Sequence, residues 1–235
     1  MKRSKILDKI KNRLSRSLRS LTKLRSLPVI SPQKGYELWA ATYSENMNPV
    51  QILESKALEE LLPPLEGCFV LDLGCGKGRI SRLALERGAR KTVGLDSSQS
   101  MLRAASAAIH SASAHWVRGN AEVLPFKKGE FDVVICALMM GHVPEPATVL
   151  SQIHNVLRPG GFLLISDFHP FETMRGSVRS FRDVNQNRTY AIRQYTHMIE
   201  YYMRSFNKLG FILEDLREPL YKDFPLVFVL RARKI

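Results

Sequence analysis

The chain has 235 residues, of which 45% are hydrophobic and 24% are charged, a composition typical of one globular domain with a substantial core. No apolar run approaches the roughly 18 to 20 residues that span a bilayer, and the basic N-terminus lacks the apolar segment of a secretory signal. The three cysteines form neither a CxxC pair nor a metal-ligand spacing. This pattern favours a reducing, cytoplasmic compartment and no bound metal.

Residues 1–27 contain ten Lys and Arg residues and one acid, Asp8, so this segment carries +9 of the net charge of +13. Its Leu and Ile residues recur every three or four positions, which predicts a basic amphipathic helix. Such a helix could cap the domain, contact an anionic membrane surface peripherally, dock on a protein, or act as a targeting peptide. The turn signals at Pro28 and Ser31-Pro32 predict a boundary between this helix and one domain over residues 28–235.

From residue 49 onward, predicted helices and strands alternate at short intervals. Helices are predicted over 49–62, 78–87, 98–110 and 146–157, and strands over 68–73, 91–95, 114–118, 131–136 and 162–167. The strand 131–136 is almost entirely apolar, as a strand buried on both faces should be. This alternation predicts a doubly wound α/β fold, with a parallel sheet covered by helices on both faces.

The C-terminal third has a different pattern. Two strands, 178–184 and 188–195, flank the turn-forming cluster Asn185-Gln186-Asn187 and predict a hairpin. A helix over 196–208 ends near Gly210, and strands follow over 211–216 and 225–232. The insert over about 168–195 is expected to form a lid over a site at the carboxyl ends of the strands.

The most informative segment is Val70-Leu-Asp-Leu-Gly-Cys-Gly-Lys-Gly78. Glycines at a strand-to-helix turn let the backbone turn sharply and approach a ligand closely, and the helix start presents free N–H groups. A dinucleotide fingerprint would need glycine at position 79, which is Arg. A P-loop would need Ser or Thr after Lys77, where Gly78 stands.

The segment instead resembles motif I of the class I S-adenosylmethionine-dependent methyltransferases, since Asp72, Gly74, Gly76 and Gly78 match its fixed positions. The resemblance continues in order to about residue 168 through Asp96 after the second strand, the stretch 119–126, the strand 131–136 and the turn 157–161. It resembles in particular the small-molecule enzymes that methylate quinone precursors and malonyl thioesters. The implied fold is a mostly parallel seven-stranded sheet with one antiparallel strand.

The resemblance also implies roles for individual residues. Asp96 would accept from the ribose hydroxyls of S-adenosylmethionine, Met101 would pack on the adenine, and Asn120, where the family has Asp, would accept from the adenine amino group. The residues expected to bind the cofactor are Tyr36, Asp72, Gly74, Cys75, Gly76, Gly78, Asp96, Ser97, Met101, Asn120, Ala121, Glu122 and Ala137.

The acceptor is expected to contact residues outside these motifs. Tyr36, Trp39 and Tyr43 resemble a tyrosine-rich N-terminal lid, with Trp39 and Tyr43 facing the acceptor. His142 and His169 are further candidates for the acceptor site, and His169, just after strand five, is the candidate general base because an ordinary histidine pKa suits that work. Methyl transfer proceeds by in-line attack, and a base is needed only if the acceptor loses a proton.

The function predicted from these features is methyl transfer from S-adenosylmethionine to an oxygen, nitrogen or carbon atom of a small molecule. Two alternatives stay open: a nucleic-acid methyltransferase and a non-catalytic scaffold that binds S-adenosylmethionine. The basic N-terminus weakly favours nucleic acid, but Cys136-Ala-Leu-Met139 stands where base methyltransferases carry an Asn/Asp-Pro-Pro-Tyr signature. A scaffold would not need Asp72, Asp96 and the glycines together.

Overall fold

A computed structural model describes residues 27–43 and 48–235 of the chain. The helix predicted over residues 1–27 lies outside the described residues apart from Leu27, so it and the predicted domain boundary stay predictions. Among the described residues, no helix is both long enough and apolar enough to cross a membrane.

A seven-stranded sheet forms the centre of the fold, in the order β4-β3-β2-β5-β6-β12-β9. The first five strands pair in parallel, and β12 is antiparallel to both of its neighbours, β6 and β9. The predicted fold, with its one antiparallel strand, is confirmed. The described strands are β1 (Val29–Ile30), β2 (Phe69–Leu73), β3 (Lys91–Asp96), β4 (Ala114–Arg118), β5 (Phe131–Ala137), β6 (Leu157–Phe168), β7 (Ser180–Asp183), β8 (Arg188–Ile192), β9 (Phe211–Arg217), β10 (Leu220–Tyr221), β11 (Phe224–Pro225) and β12 (Val227–Lys234).

Helices cover both faces of this sheet, which explains why its central strands are apolar throughout. Val133 and Ile135 of β5 pack against α2 and α3, whereas the alternate residues Val134 and Cys136 face α5 and α7, as the period-two geometry of a strand requires. The described helices are α1 (Pro32–Trp39), α2 (Pro49–Leu61), α3 (Arg79–Glu86), α4 (Gln99–Ala108), α5 (Pro146–Val156), α6 (Pro170–Met174) and α7 (Ile199–Leu209), with a 3₁₀ turn at Met140–His142.

The segment after β6 contains the predicted hairpin, formed by the antiparallel strands β7 and β8. Two features were not predicted: the short helix α6 before the hairpin, and the parallel pairing of β1 with β8. Phe181, Tyr190 and Ile192 of the hairpin pack on α1. Gly35 allows this contact, because a Cβ at that position would lie 2.9 Å from Cγ1 of Ile192. The hairpin and the N-terminal segment therefore form one unit, which we call the cap (residues 29–43 and 177–195).

Candidate active site

A cavity of about 600 Å³ lies beyond the carboxyl ends of the parallel strands, where open α/β sheets bind ligands. One side of it is formed by the loops that follow β2, β3, β4 and β5, which we call the strand-end wall. The other side is formed by α1, Tyr43 and Gln51 at the start of α2. The volume lies within the range of small-molecule and cofactor sites.

The glycine turn shapes the first part of the strand-end wall. Gly74 and Gly76 line the cavity with φ of 75° and 53°, a left-handed backbone that favours glycine. A Cβ on Gly74 would lie 2.5 Å from Cγ of Met139, whereas one on Gly76 would meet nothing within 4 Å. Gly74 thus permits close packing inside the wall, and Gly76 leaves open space for a ligand.

Asp96, the last residue of β3, is held by backbone donors on either side. Its Oδ2 accepts from the N–H of Gly76 at 2.9 Å, and its Oδ1 accepts from the N–H of Ser98 at 2.8 Å. Burial raises the pKa of Asp96, while these backbone hydrogen bonds oppose the rise. Each oxygen keeps a further lone pair, so the carboxylate can still accept from two hydroxyl groups of a ligand.

Asp72, near the end of β2, is almost fully buried at 1% exposure but borders the cavity. Its Oδ2 accepts from the N–H and the hydroxyl of Ser81 at 2.9 and 2.8 Å. Burial raises the pKa of Asp72 to about 6. A cationic group of a ligand beside this carboxylate would favour its ionised form.

The loops after β3, β4 and β5 complete the strand-end wall. The side-chain amide of Asn120 donates to Glu122 at 3.1 Å, and its oxygen accepts from the N–H of Glu122 at 3.0 Å. These two contacts fix the orientation of the amide. The other predicted residues that line this part of the cavity are Cys75, Ser97, Met101, Ala121 and Ala137.

The cap side of the cavity is aromatic. Tyr36 and Tyr43 line it together with His142, and the Tyr36 hydroxyl lies 2.9 Å from Nε2 of His142. Glu37 anchors α1 to the start of α4, because its carboxylate accepts from the hydroxyls of Ser98 and Ser100 at 2.7 and 2.6 Å. The cap is thereby fixed next to Asp96.

Three of the predicted site residues, Gly78, Trp39 and His169, do not line the cavity. Gly78 begins α3, and a Cβ there would clash with Trp116. Trp39 lies within the cap, where its ring stacks on that of Phe181 with centroids 5.2 Å apart. The structure therefore assigns both residues to packing.

His169, which the sequence predicted beside the acceptor, is also absent from the lining of this cavity. The side chain is 3% exposed. Its Nε2 lies 2.9 Å from Oε1 of Glu218, and its Nδ1 accepts from the N–H of Phe171 at 3.2 Å to cap α6. Both ring nitrogens are thus engaged away from the cavity. Asp167, two residues earlier, contacts Gly141 and Arg179 instead.

Sequence reasoning missed two sets of polar residues around the cavity. Arg79 lines it and pairs with the fully buried Glu54 at 2.8 Å, and Glu54 also accepts from the hydroxyl of Ser166 at 2.7 Å. Arg179, from the cap, contacts His142 and Asp167. These partners are separated by 12 to 112 residues, and the local sequence of α2 shows only a Glu beside the apolar residues Ala57, Leu58 and Leu61.

Within the part of the chain that the structure describes, no group of three or more His, Cys, Asp or Glu side chains could hold a metal ion. The described polar groups around the cavity are instead hydrogen-bond donors and acceptors suited to an organic ligand.

Comparison with known proteins identifies the family of the domain. The family pattern described as "Methyltransferase domain" matches residues 71–165, the segment that supplies the strand-end wall. Residues 71–165 thus belong to the methyltransferase domain of the class I S-adenosylmethionine-dependent enzymes. This membership makes the domain a methyltransferase domain, with S-adenosylmethionine as its cofactor.

Several relatives show how far the similarity reaches. An uncharacterized protein of Haemophilus influenzae is 32% identical over 68% of this chain and 66% of its own length. A demethylmenaquinone methyltransferase of Lactococcus lactis is 39% identical over 45% of this chain and 44% of its own length. A ubiquinone biosynthesis O-methyltransferase of Ralstonia nicotianae is 35% identical over 49% of this chain and 54% of its own length. The alignments thus span less than two thirds of these relatives.

Solved structures match more of the chain but at lower identity. An S-adenosylmethionine-dependent methyltransferase of Mesorhizobium loti superposes with a TM-score of 0.67 at 24% identity, over 77% of this methyltransferase and 98% of the other chain. An S-adenosylmethionine-dependent methyltransferase of Listeria monocytogenes superposes with a TM-score of 0.69 at 22% identity, over 78% of this chain and 99% of the other chain. At these identities the superpositions establish the shared fold.

Proposed function

We propose that this protein transfers the methyl group of S-adenosylmethionine to an oxygen, nitrogen or carbon atom of a small molecule bound in the 600 Å³ cavity. The proposal depends on one observation, that the separate sequence motifs meet at a single cavity. Residues of the sequence motifs after β2, β3, β4 and β5 all line this one cavity, next to an aromatic cap. Relatives that are named for quinone-precursor methylation support a small-molecule acceptor.

The strand-end wall fits the cofactor. Asp96 keeps lone pairs for the two ribose hydroxyls, and Gly76 leaves space where a side chain would obstruct a ligand. The Asn120 oxygen accepts one N–H and keeps a lone pair for the adenine amino group. Asp72 borders the cavity near Ala137, where its carboxylate would attract the cofactor's amino group.

The cap side holds the acceptor. Tyr36 and Tyr43 on the cap side, and Met139, His142 and Val143 from the facing loop after β5, give this region an apolar and aromatic surface. The cofactor supplies an electrophilic sulfonium methyl group. The protein contributes mainly by aligning the acceptor with that methyl group and by excluding water.

His142 is a poor candidate for a general base. Burial and the nearby Arg179 cation lower the pKa of His142 to about 4, and Nε2 lies within 2.9 Å of a guanidinium N–H donor. A base with so low a pKa removes protons inefficiently near neutral pH. We therefore assign His142 to holding the Tyr36 hydroxyl in place.

Calorimetry on the purified chain tests the cofactor assignment. S-adenosylmethionine and S-adenosylhomocysteine should bind in the micromolar range, whereas NAD, which requires a different glycine pattern, should not bind. Failure of both sulfur ligands to bind, or equal binding of NAD, would contradict the proposal.

A transfer assay then tests the acceptor class. S-adenosylmethionine with a labelled methyl group is incubated with small-molecule fractions and, separately, with RNA and DNA. Label in small molecules is the expected result, and label only in nucleic acid would replace this proposal with the nucleic-acid alternative. Cofactor binding without transfer to any fraction would favour the scaffold alternative.

A further inference from the structure

The cap reaches the strand-end wall through the side chain of Arg179, which precedes β7. This side chain is 8% exposed. Its guanidinium donates to the carbonyl oxygen of Leu138 at 2.8 Å, lies 2.9 Å from Nε2 of His142 and pairs with the carboxylate of Asp167. Leu138 and His142 belong to the loop after β5, and Asp167 belongs to β6. One cation from the cap thus contacts the parts of the fold that border the acceptor side of the cavity.

The proton on His142 can be assigned from these contacts. A guanidinium donates hydrogen bonds and never accepts them, so Nε2 must carry no proton. Nδ1 lies 2.9 Å from the carbonyl oxygen of Arg193, which can only accept. Nδ1 therefore carries the proton, and His142 is a neutral imidazole.

The hydroxyl of Tyr36 takes its direction from the same nitrogen. It lies 2.9 Å from Nε2, which is unprotonated, so the Tyr36 O–H is a second donor that shares the Nε2 lone pair with the Arg179 guanidinium. Burial raises the pKa of Tyr36 above its usual range, which keeps the phenol protonated. The Tyr36 oxygen then has only lone pairs to offer a ligand in the cavity that it lines.

We propose that Arg179 is a positioning residue that keeps Nε2 of His142 as the acceptor of hydrogen bonds from Arg179 and Tyr36. The Tyr36 oxygen accordingly binds a hydrogen-bond donor, a hydroxyl or amino group, in the cavity. This inference rests on the proposed methyltransferase function. The donor belongs either to the amino group of the cofactor or to the acceptor molecule, and the experiments below distinguish the two.

Nitrogen-15 NMR of the histidine side chains tests the proton assignment without any ligand. The groups that face His142 are Tyr36 of α1, Arg179 and the Arg193 carbonyl of the cap, and Asp167 of β6. We expect an Nδ1–H tautomer that stays neutral down to about pH 5.5, with His142→Gln identifying the resonance. Arg179→Met removes the cation that lowers the pKa of His142 and leaves Tyr36 as the donor to Nε2, so His142 should titrate at least one pH unit higher.

Matched variants separate positioning from folding. Arg182→Met removes a cation of the same hairpin whose exposed side chain contacts Asn187 in the turn, and it should leave the His142 resonance unchanged. Arg179→Lys keeps a positive donor and should restore part of the wild-type tautomer if Arg179→Met unfolds. An Nε2–H tautomer in the wild type, or an unchanged titration in folded Arg179→Met, would overturn the proposal.

Tyr36→Phe identifies the donor. S-adenosylhomocysteine carries the amino-acid group, and 5′-methylthioadenosine lacks it. An at least tenfold loss of affinity for the first ligand alone assigns the donor to the cofactor. Unchanged affinity for both, with at least tenfold slower methyl transfer to a panel of phenols, alcohols and primary amines, assigns it to the acceptor. No change in binding or transfer would contradict the inference, whereas failure of the wild type to bind either ligand would count against the proposed function alone.

Discussion

The two sides of the cavity are built in different ways. The strand-end wall consists of short loops that each follow a strand, and backbone N–H groups of the glycine turn and of the starts of α3 and α4 hold its carboxylates in place. The cap side depends on side chains far apart in sequence, such as Tyr36 with His142 and Arg179 with His142. Local backbone geometry thus sets the wall, and tertiary contacts set the cap.

The largest loss of stability should come from a side chain added at Gly74, where the strand-end wall is packed most closely. Gly74→Ala places a Cβ 2.5 Å from Cγ of Met139 at a φ of 75°. A left-handed alanine costs roughly 1–2 kcal/mol, and overpacking adds roughly 1–3 kcal/mol. We expect the free energy of unfolding in urea to fall by about 2–5 kcal/mol, with loss of S-adenosylhomocysteine binding.

Gly67→Ala is the matched control for this variant. Gly67 has a φ of 71°, but a Cβ there would meet nothing within 4 Å. It should therefore lose only the roughly 1–2 kcal/mol of the left-handed backbone and keep its affinity for the ligand. Equal losses in the two variants would show that packing against Met139 contributes little.

Asp72→Asn should change the stability of the wall and its affinity for the cofactor in opposite directions. The pKa of Asp72 is raised by burial from 3.8 to about 6, so the folded protein holds this proton more tightly than the unfolded chain. The difference corresponds to about 3 kcal/mol at roughly 1.36 kcal/mol per pKa unit. Stability from this group is lost as pH rises from about 4 to about 6.

Urea unfolding at several pH values measures this effect in the ligand-free protein. The Asp72→Asn substitution should raise the free energy of unfolding at pH 7.5 by up to about 3 kcal/mol, with the gain disappearing near pH 4, while affinity for S-adenosylhomocysteine falls at least tenfold. A variant that is less stable than the wild type at every pH would show that the Ser81 contacts outweigh the cost of burying the charge.

The same contrast explains what the sequence could predict. The seven strands and the turn at Gly74 were predictable because apolar runs, glycines and strand-end acids are local signals. The pairing of β1 with β8, the Arg179 contacts and the position of Trp39 were not, since each depends on chain segments that meet only in the folded state. His169 lies outside the cavity lining for a related reason. Nearness to the end of β6 does not determine which way the chain turns afterwards.

Asp96→Ala should weaken binding more than stability. The carboxylate accepts from Gly76 and Ser98 and, as proposed, from the ribose hydroxyls. We expect at least a tenfold loss of affinity for S-adenosylhomocysteine by calorimetry, or about 1.4 kcal/mol. Asp132→Ala is the control, because this carboxylate also accepts a backbone N–H, from Phe69 at 2.6 Å, but does not line the cavity. If both variants bind normally, Asp96 is not part of the cofactor site.

The smallest effect is expected from removing residues 1–26. In the described chain, the first residue that lines the cavity is Pro32, and β1 keeps its partner β8 without the preceding segment. Affinity for S-adenosylhomocysteine should therefore stay within about twofold, or roughly 0.4 kcal/mol, of that of the full chain. A tenfold loss of affinity in the folded truncated protein would show that the basic segment is part of the cap and that the predicted domain boundary at residue 28 is wrong. Unchanged binding together with weaker adsorption to anionic lipid vesicles would instead support a peripheral membrane role for a segment that the cavity does not need.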